Sequence, residues 1–200
     1  MKKYKLYIGL ILIILLVSTC KKDEVDLVAE AWKRQNEQAI NDLARNPDFT
    51  ALKLQGGYDF NIYYRVIQKG EGKRIFYNSR AEVYYKGWFV VTNADKNIKA
   101  GDVFDRQLFD DGVTFKLAVS SLSADSNNGI RTPVEGWSVA LQNMVEGDKW
   151  EVWIPHQLGY GTESYSSIPA YSTLAFEIEV VKAIDPDEFE WYSGGSSYYY

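Results

Sequence analysis

Apolar residues recur at Trp137, Ala140, Leu141 and Met144, the i, i+3, i+4, i+7 spacing that predicts a short amphipathic helix with one apolar face. Gly147-Asp148 then signals a turn. Beyond it Trp150, Val152 and Ile154 alternate with Glu151 and Trp153, as in a strand with one buried face, and Pro155 ends the alternation. A helix, a strand and a loop packed into Pro133–Gly161 suggest a site. Trp137 has two readings here: an ordinary core aromatic, or a ring at the rim of the core that lines a cavity. Further strand-like runs are predicted at Phe60–Gln68, Arg80–Trp88, Val113–Ala118 and Thr173–Val181, separated by Gly- and Asp-rich turns. Several strands with one convincing helix between them predict an α+β domain whose helix covers one face of an antiparallel sheet. The polar run Ser120–Arg131 reads as a surface insertion close to the site's mouth, and residues 185–200 as a tail without a period.

The first residues follow another pattern. Lys2, Lys3 and Lys5 precede an apolar run, Leu6–Val17, that is short for a bilayer span but fits the core of a signal peptide. It ends at Cys20, the single cysteine. The arrangement resembles a bacterial lipoprotein signal covering residues 1–19, although Thr19 departs from the small residue usual there. The resemblance implies cleavage before Cys20, lipidation of Cys20, and an extracytoplasmic domain anchored to the outer membrane, on its periplasmic side or at the cell surface. An uncleaved anchor and a secreted protein with a free thiol are the other readings. Lys22-Asp23-Glu24 looks like the export signal of some Bacteroidota surface lipoproteins, and reads equally well as a solvated tether.

Residues 20–58 then form a tether with a helix predicted from Glu24 to about Asn46, its stripe running through Val28, Ala31, Trp32, Gln35, Ala39 and Leu43. Asn46-Pro47 stops it, and Phe49–Gly57 reads as a connector. Spacing leaves three roles open for this helix: packing on the domain, spacing it from the membrane, or dimerising.

The chain has 200 residues and a formal charge of −5; losing residues 1–19 removes three lysines and no acid, which gives −8. That balance argues against nucleic acid as a partner. With Cys20 carrying lipid no disulfide is available, so stability has to come from the core. His156 is the sole histidine, with no zinc-ligand spacing, no nucleophile elbow and no phosphate-binding glycine loop. No metal or cofactor is implied.

Six ordered blocks carry a more specific signal: VYYKGWF from Val83, GDVFDRQ from Gly101, VTFKL from Val113, PVEGWSVALQNMVEGDKWEVWIP from Pro133, LGYG from Leu158 and IPAYSTLAFEIEVV from Ile168. Together they resemble an FK506-binding-protein-type peptidyl-prolyl cis-trans isomerase domain, spanning residues 59–184. The resemblance implies a strongly twisted antiparallel sheet wrapped around one short helix. It also implies proline-containing polypeptides as clients and binding of macrolide inhibitors.

Residue by residue, it implies a substrate pocket of Tyr85, Phe104, Trp137, Ile168 and Phe176, with Trp137 as the floor under the proline ring. Asp105, Tyr160 and the backbone amide of Val134 are the implied catalytic groups. Val113 stands where many members carry an aromatic, which implies a smaller wall there. No basic residue pairs securely with Asp105. The alternative to an isomerase is a non-catalytic proline-binding or chaperone module, and a third reading is a structural lipoprotein that keeps only the fold.

Overall fold

The computed structural model describes residues 20–54 and 60–191. The lipoprotein signal at residues 1–19 and the end of the tail at 192–200 lie outside the described residues. The elements run α1 (Cys20–Leu43), β1 (Thr50–Lys53), β2 (Asn61–Gln68), β3 (Arg80–Phe89), β4 (Val103–Gln107), β5 (Phe115–Ala118), α2 (Glu135–Leu141), β6 (Lys149–Ile154) and β7 (Leu174–Ile184). Among the described residues no helix is long and apolar enough to cross a membrane.

All seven strands join one antiparallel sheet in the order β1-β2-β6-β7-β3-β4, and β5 also pairs with β3. β3 pairs along its whole length with β7, from Arg80↔Ile184 to Phe89↔Leu174. Its other edge is shared: β5 takes Arg80–Val83 and β4 takes Tyr85–Trp88. The predicted α+β arrangement therefore holds, with α2 lying on a sheet whose inner face carries Ile62, Val83, Val152, Ile154 and Ile178, all fully buried. Each such side chain contributes roughly 1.5–3 kcal/mol through burial.

Local chemistry explains the entry into α2. Val134 is extended at the N-cap and accepts from the Trp137 N–H at 2.9 Å, while Glu135 in the first turn suits the positive end of the helix. Gly136 lets the helix lie against β6, because a Cβ there would come within 2.5 Å of Ile154 Cγ2. The Gly147-Asp148 turn is fastened by Asp148, which accepts from Val145 and Gly70 N–H groups, both at 2.7 Å.

α1 packs on the domain, one of the three roles left open for it. Its buried stripe is Trp32, Asn36, Ile40 and Leu43, rotated from the predicted one: Gln35 is exposed. The rotation follows from hydrogen bonding. Asn36 is fully buried; its Nδ2 donates to the Trp32 carbonyl at 2.9 Å and its Oδ1 accepts from Thr173 N–H at 2.8 Å. Trp32 Nε1 donates to the Ala170 carbonyl at 3.0 Å. Asn36→Ala is expected to cost roughly 2–3 kcal/mol, since the Thr173 N–H is left buried without an acceptor, and Asn36→Asp no less, since it buries a carboxylate whose second oxygen faces the Trp32 carbonyl. Urea unfolding followed by tryptophan fluorescence measures both losses.

Three other expectations are changed or refined. Thr50–Lys53, read as connector, is edge strand β1. Ser120–Arg131 is largely exposed, as a surface insertion, but it is anchored: Ser120 and Ser123 are buried, Ser123 Oγ donates to the Ser79 carbonyl at 2.7 Å, and Arg80 Nε donates to the Ser123 carbonyl at 2.8 Å. Serine hydroxyls satisfied by backbone can be buried where polarity alone suggests exposure. Of the tail, Pro186–Trp191 forms a short 3₁₀ segment that docks back: Lys73 pairs with Asp185 at 2.8 Å and with Glu188, and the Arg80 guanidinium lies 4.1 Å from the Phe189 ring centroid.

Candidate active site

Four aromatic side chains from four elements meet on one side of β3. Trp137, on α2, is 3% exposed, and its ring lies 5.2 Å from both Tyr85 (β3) and Phe176 (β7), each at 83° to it. Phe104 (β4) closes the arc, 5.6 Å from Phe176 at 89°. Near-perpendicular packing sets the positive edge of one ring against the negative face of the next and makes walls of them. Tyr85 and Phe104 remain half-buried, so the arrangement has an open side.

Strand periodicity supplies the space. Tyr85 and Gly87 are two apart on β3 and share a face. At Gly87 there is no side chain, and the Phe176 and Phe104 rings fill the gap: a Cβ there would stand 2.6 Å from Phe176 Cε1 and 2.7 Å from Phe104 Cζ.

Asp105 has a partner that the sequence did not reveal. The Tyr85 hydroxyl donates to Asp105 Oδ2 at 2.8 Å, and the Arg106 N–H donates to Oδ1 at 2.9 Å. The carboxylate is held by a phenol and a backbone amide in place of a basic side chain. Burial, then the bond to Asp105 and its charge, push the Tyr85 phenol well above its ordinary pKa. Tyr160 is half-buried and stacked on Tyr165, with centroids 4.5 Å apart and rings 6° from parallel. Burial raises its pKa as well, helped by Tyr165 and by the charge of Asp105, which therefore acts on both phenols.

Val113 does not belong to this group. It is 64% exposed and precedes the first residue of β5. The cause is the shared edge of β3: β5 pairs only as far as Val83↔Phe115, because Gln107 of β4 already occupies the place opposite Tyr85. The last paired residue carries the ring instead. Phe115 lies 5.3 Å from Tyr85, so the wall expected to be small is aromatic. Phe89, 5.1 Å from Phe104, and Tyr165 are further contributors that sequence reading missed.

Ile168 is buried in the loop after Tyr160, bridged to Tyr165 by two backbone hydrogen bonds of 2.9 Å. Val134 is half-buried at the start of α2, one turn before the Trp137 ring. Cys20 is the first described residue of α1 and far from these groups in sequence.

An aromatic bowl with two neutral phenols and one fixed carboxylate suits an apolar ring attached to a polar amide. Residues 72–181 match the family of FKBP-type peptidyl-prolyl cis-trans isomerases. The chain belongs to that family. It is 29% identical over 175 residues to the FKBP-type 22 kDa peptidyl-prolyl cis-trans isomerase of Escherichia coli, covering 80% of this chain and 74% of that one. It is 31% identical over 157 residues to the macrophage infectivity potentiator of Trypanosoma cruzi, covering 76% and 65%. The fold is similar to the crystal structure of a peptidyl-prolyl cis-trans isomerase from Pseudomonas syringae, with a TM-score of 0.58, 24% identity, and coverage of 78% of this chain and 96% of that one. In this FKBP-type domain the split edge of β3 is what brings Asp105 and Phe115 to Tyr85 and Phe104 to Gly87.

Proposed function

We propose that the bowl of Tyr85, Phe104, Trp137 and Phe176 is where this peptidyl-prolyl isomerase holds the proline ring of an X-Pro segment, with Ile168 and Phe115 at its margins. The observation that carries the reading is the meeting of these rings, with the exposed Asp105 carboxylate bonded to the Tyr85 hydroxyl at their edge. Resonance gives the amide C–N bond a rotation barrier of roughly 18–20 kcal/mol. No proton or covalent step is needed; a site accelerates rotation by holding the twisted amide better than either planar form. An apolar enclosure favours the twisted amide because it is less charge-separated than the planar one it replaces. The Tyr160 hydroxyl and the Val134 N–H are the donors that orient the displaced carbonyl, and Asp105 fixes the Tyr85 ring.

Tyr160→Phe keeps the stacked ring and removes only the donor. Its kcat/KM on an X-Pro peptide is expected to fall roughly 5–30-fold, equivalent to about 1–2 kcal/mol of transition-state stabilisation, with the unfolding midpoint unchanged. Because burial raises both phenols, neither loses its proton below the ordinary tyrosine range of about 10, and a pH–rate profile is expected to show no basic limb from Tyr85 or Tyr160 between neutrality and that range. A domain that folds and binds proline peptides at the bowl without accelerating rotation would instead support the recognition-module reading. Macrolides of the FK506 class are expected to compete for the bowl.

The setting we propose is extracytoplasmic, with the chain anchored to the outer membrane through lipidated Cys20. Support comes from the basic start, the short apolar run and the placing of Cys20. Several acyl chains on one residue suffice for stable anchoring where one is marginal. Cys20→Ser is expected to abolish fatty-acid labelling and release the protein into the soluble fraction; continued labelling overturns the anchor.

A further inference from the structure

Phe104, a wall of the bowl, and Ile168 also line a cleft of about 710 Å³ running between the Lys96–Ile98 turn and Ser164–Pro169. Lys96, Ser164 and Pro169 of that cleft line a second one of about 650 Å³, whose far side is α1. There Val28 and Trp32 face Pro169, Ala170 and Tyr171. The two clefts form one groove. It starts beside Phe104, passes the polar Lys96, Asp102 and Ser164, and ends where apolar side chains of the N-terminal helix stand opposite Pro169 and Ala170, with Asn93 and Asp95 on the rim. α1 is fixed in that position by the Asn36 and Trp32 hydrogen bonds to Thr173 and Ala170, so the apolar end is preformed.

We infer that this groove takes the client polypeptide beyond its proline, and that the end built by α1 binds an apolar side chain several residues along from the X-Pro bond. The inference rests on the reading of the bowl as the X-Pro site. Adjacency selects the occupant, because Phe104 and Ile168 belong to the site and also line the groove, so the groove adjoins the bowl at these two residues. Mixed polar lining next to the bowl suits a peptide backbone, which keeps its hydrogen-bonding needs. Apolar lining at the far end suits a Leu or Phe side chain. The N-terminal helix thereby adds to client selection and leaves the rotation step to the bowl.

The test uses the full chain and labelled proline peptides. A short peptide fills the bowl alone; one of about ten residues spans up to roughly 35 Å when extended and so continues well beyond it. Affinity is read by fluorescence anisotropy and rotation by NMR exchange on the same peptides. Extended peptides with Leu or Phe four to six residues from the proline, placed on either side, are expected to bind roughly five- to tenfold more tightly than their Ser counterparts, the scale of burying one such side chain in part.

Val28→Asp and Ala29→Asp, at half-buried and exposed positions on α1, are expected to remove that gain while short-peptide affinity stays level. Two positions guard against a folding defect in either one. No gain with length and apolarity, or a gain that survives both substitutions, overturns the groove. Occupation of the groove by a second copy of the chain would appear as a concentration-dependent mass in sedimentation with no peptide-length effect, and would overturn it too. Rotation absent on every peptide, with the affinity gain intact, overturns the catalytic reading and leaves the groove standing.

Discussion

Gly87→Ala is expected to lower kcat/KM on X-Pro peptides by roughly two orders of magnitude, the scale of a displacement of about 1 Å at a positioned site. The added methyl would stand 2.6 Å from Phe176 and 2.7 Å from Phe104, closer than real side chains approach. One of the rings has to give. Phe176 is held between Trp137 and Phe104 and has no free direction, so the half-buried Phe104 has to swing toward the open side of the bowl. Overpacking of this kind costs about 1–3 kcal/mol of stability. Calorimetry is expected to show a lower midpoint with cooperative unfolding retained. Activity is expected to fall by far more than lost stability explains, because the ring that moves is a wall of the bowl. Normal kinetics in Gly87→Ala would mean that the bowl is not the site.

Trp137→Ala removes the floor. The side chain is almost fully buried and makes edge contacts with Tyr85 and Phe176, so truncation is expected to cost about 3–5 kcal/mol and to weaken proline-peptide binding severely. Part of the first effect is simple loss of core, since Leu141 and Ile154 belong to the same cluster. Trp137→Leu separates the two roles by keeping apolar volume while losing the flat face. The expected pattern is a modest fall in the urea midpoint together with a large rise in KM. A variant that binds proline peptides as tightly as the parent would return Trp137 to the reading of an ordinary core aromatic.

Elements with a strong local period are legible in the amino-acid sequence alone. β6 falls where its alternation predicts it, and α2 starts within two residues of Trp137, where its apolar spacing begins. β1 and β4 escape for a shared reason. Each is short, sits at a sheet edge and shows no clean alternation of burial, so its strand character comes from its partner. Asn36 is invisible because hydrophobic patterning ranks it as solvent-facing, while its burial depends on Thr173, far along the chain. The Val113 expectation fails over register. Which of Val113 and Phe115 approaches Tyr85 is decided by the competition of β4 and β5 for one edge, and no local window contains both strands and β3. The ring set itself is legible because ordered blocks carry it; the bond from Tyr85 to Asp105 arises only where β3 and β4 pair.

The pairing of β3 with β7 also bears on how the chain is made. Ribosomes deliver β3 early and β7 last, and every position of β3 waits for β7 to complete its ladder. The clasp between α1 and Thr173 waits as well, joining the earliest described helix to the latest loop. Contacts so distant in sequence make folding slow and leave little for a nascent chain to close upon. The polypeptide therefore stays threadable until its final strand has emerged, and a chain stopped before Leu174 is expected to give no folded remnant in limited proteolysis.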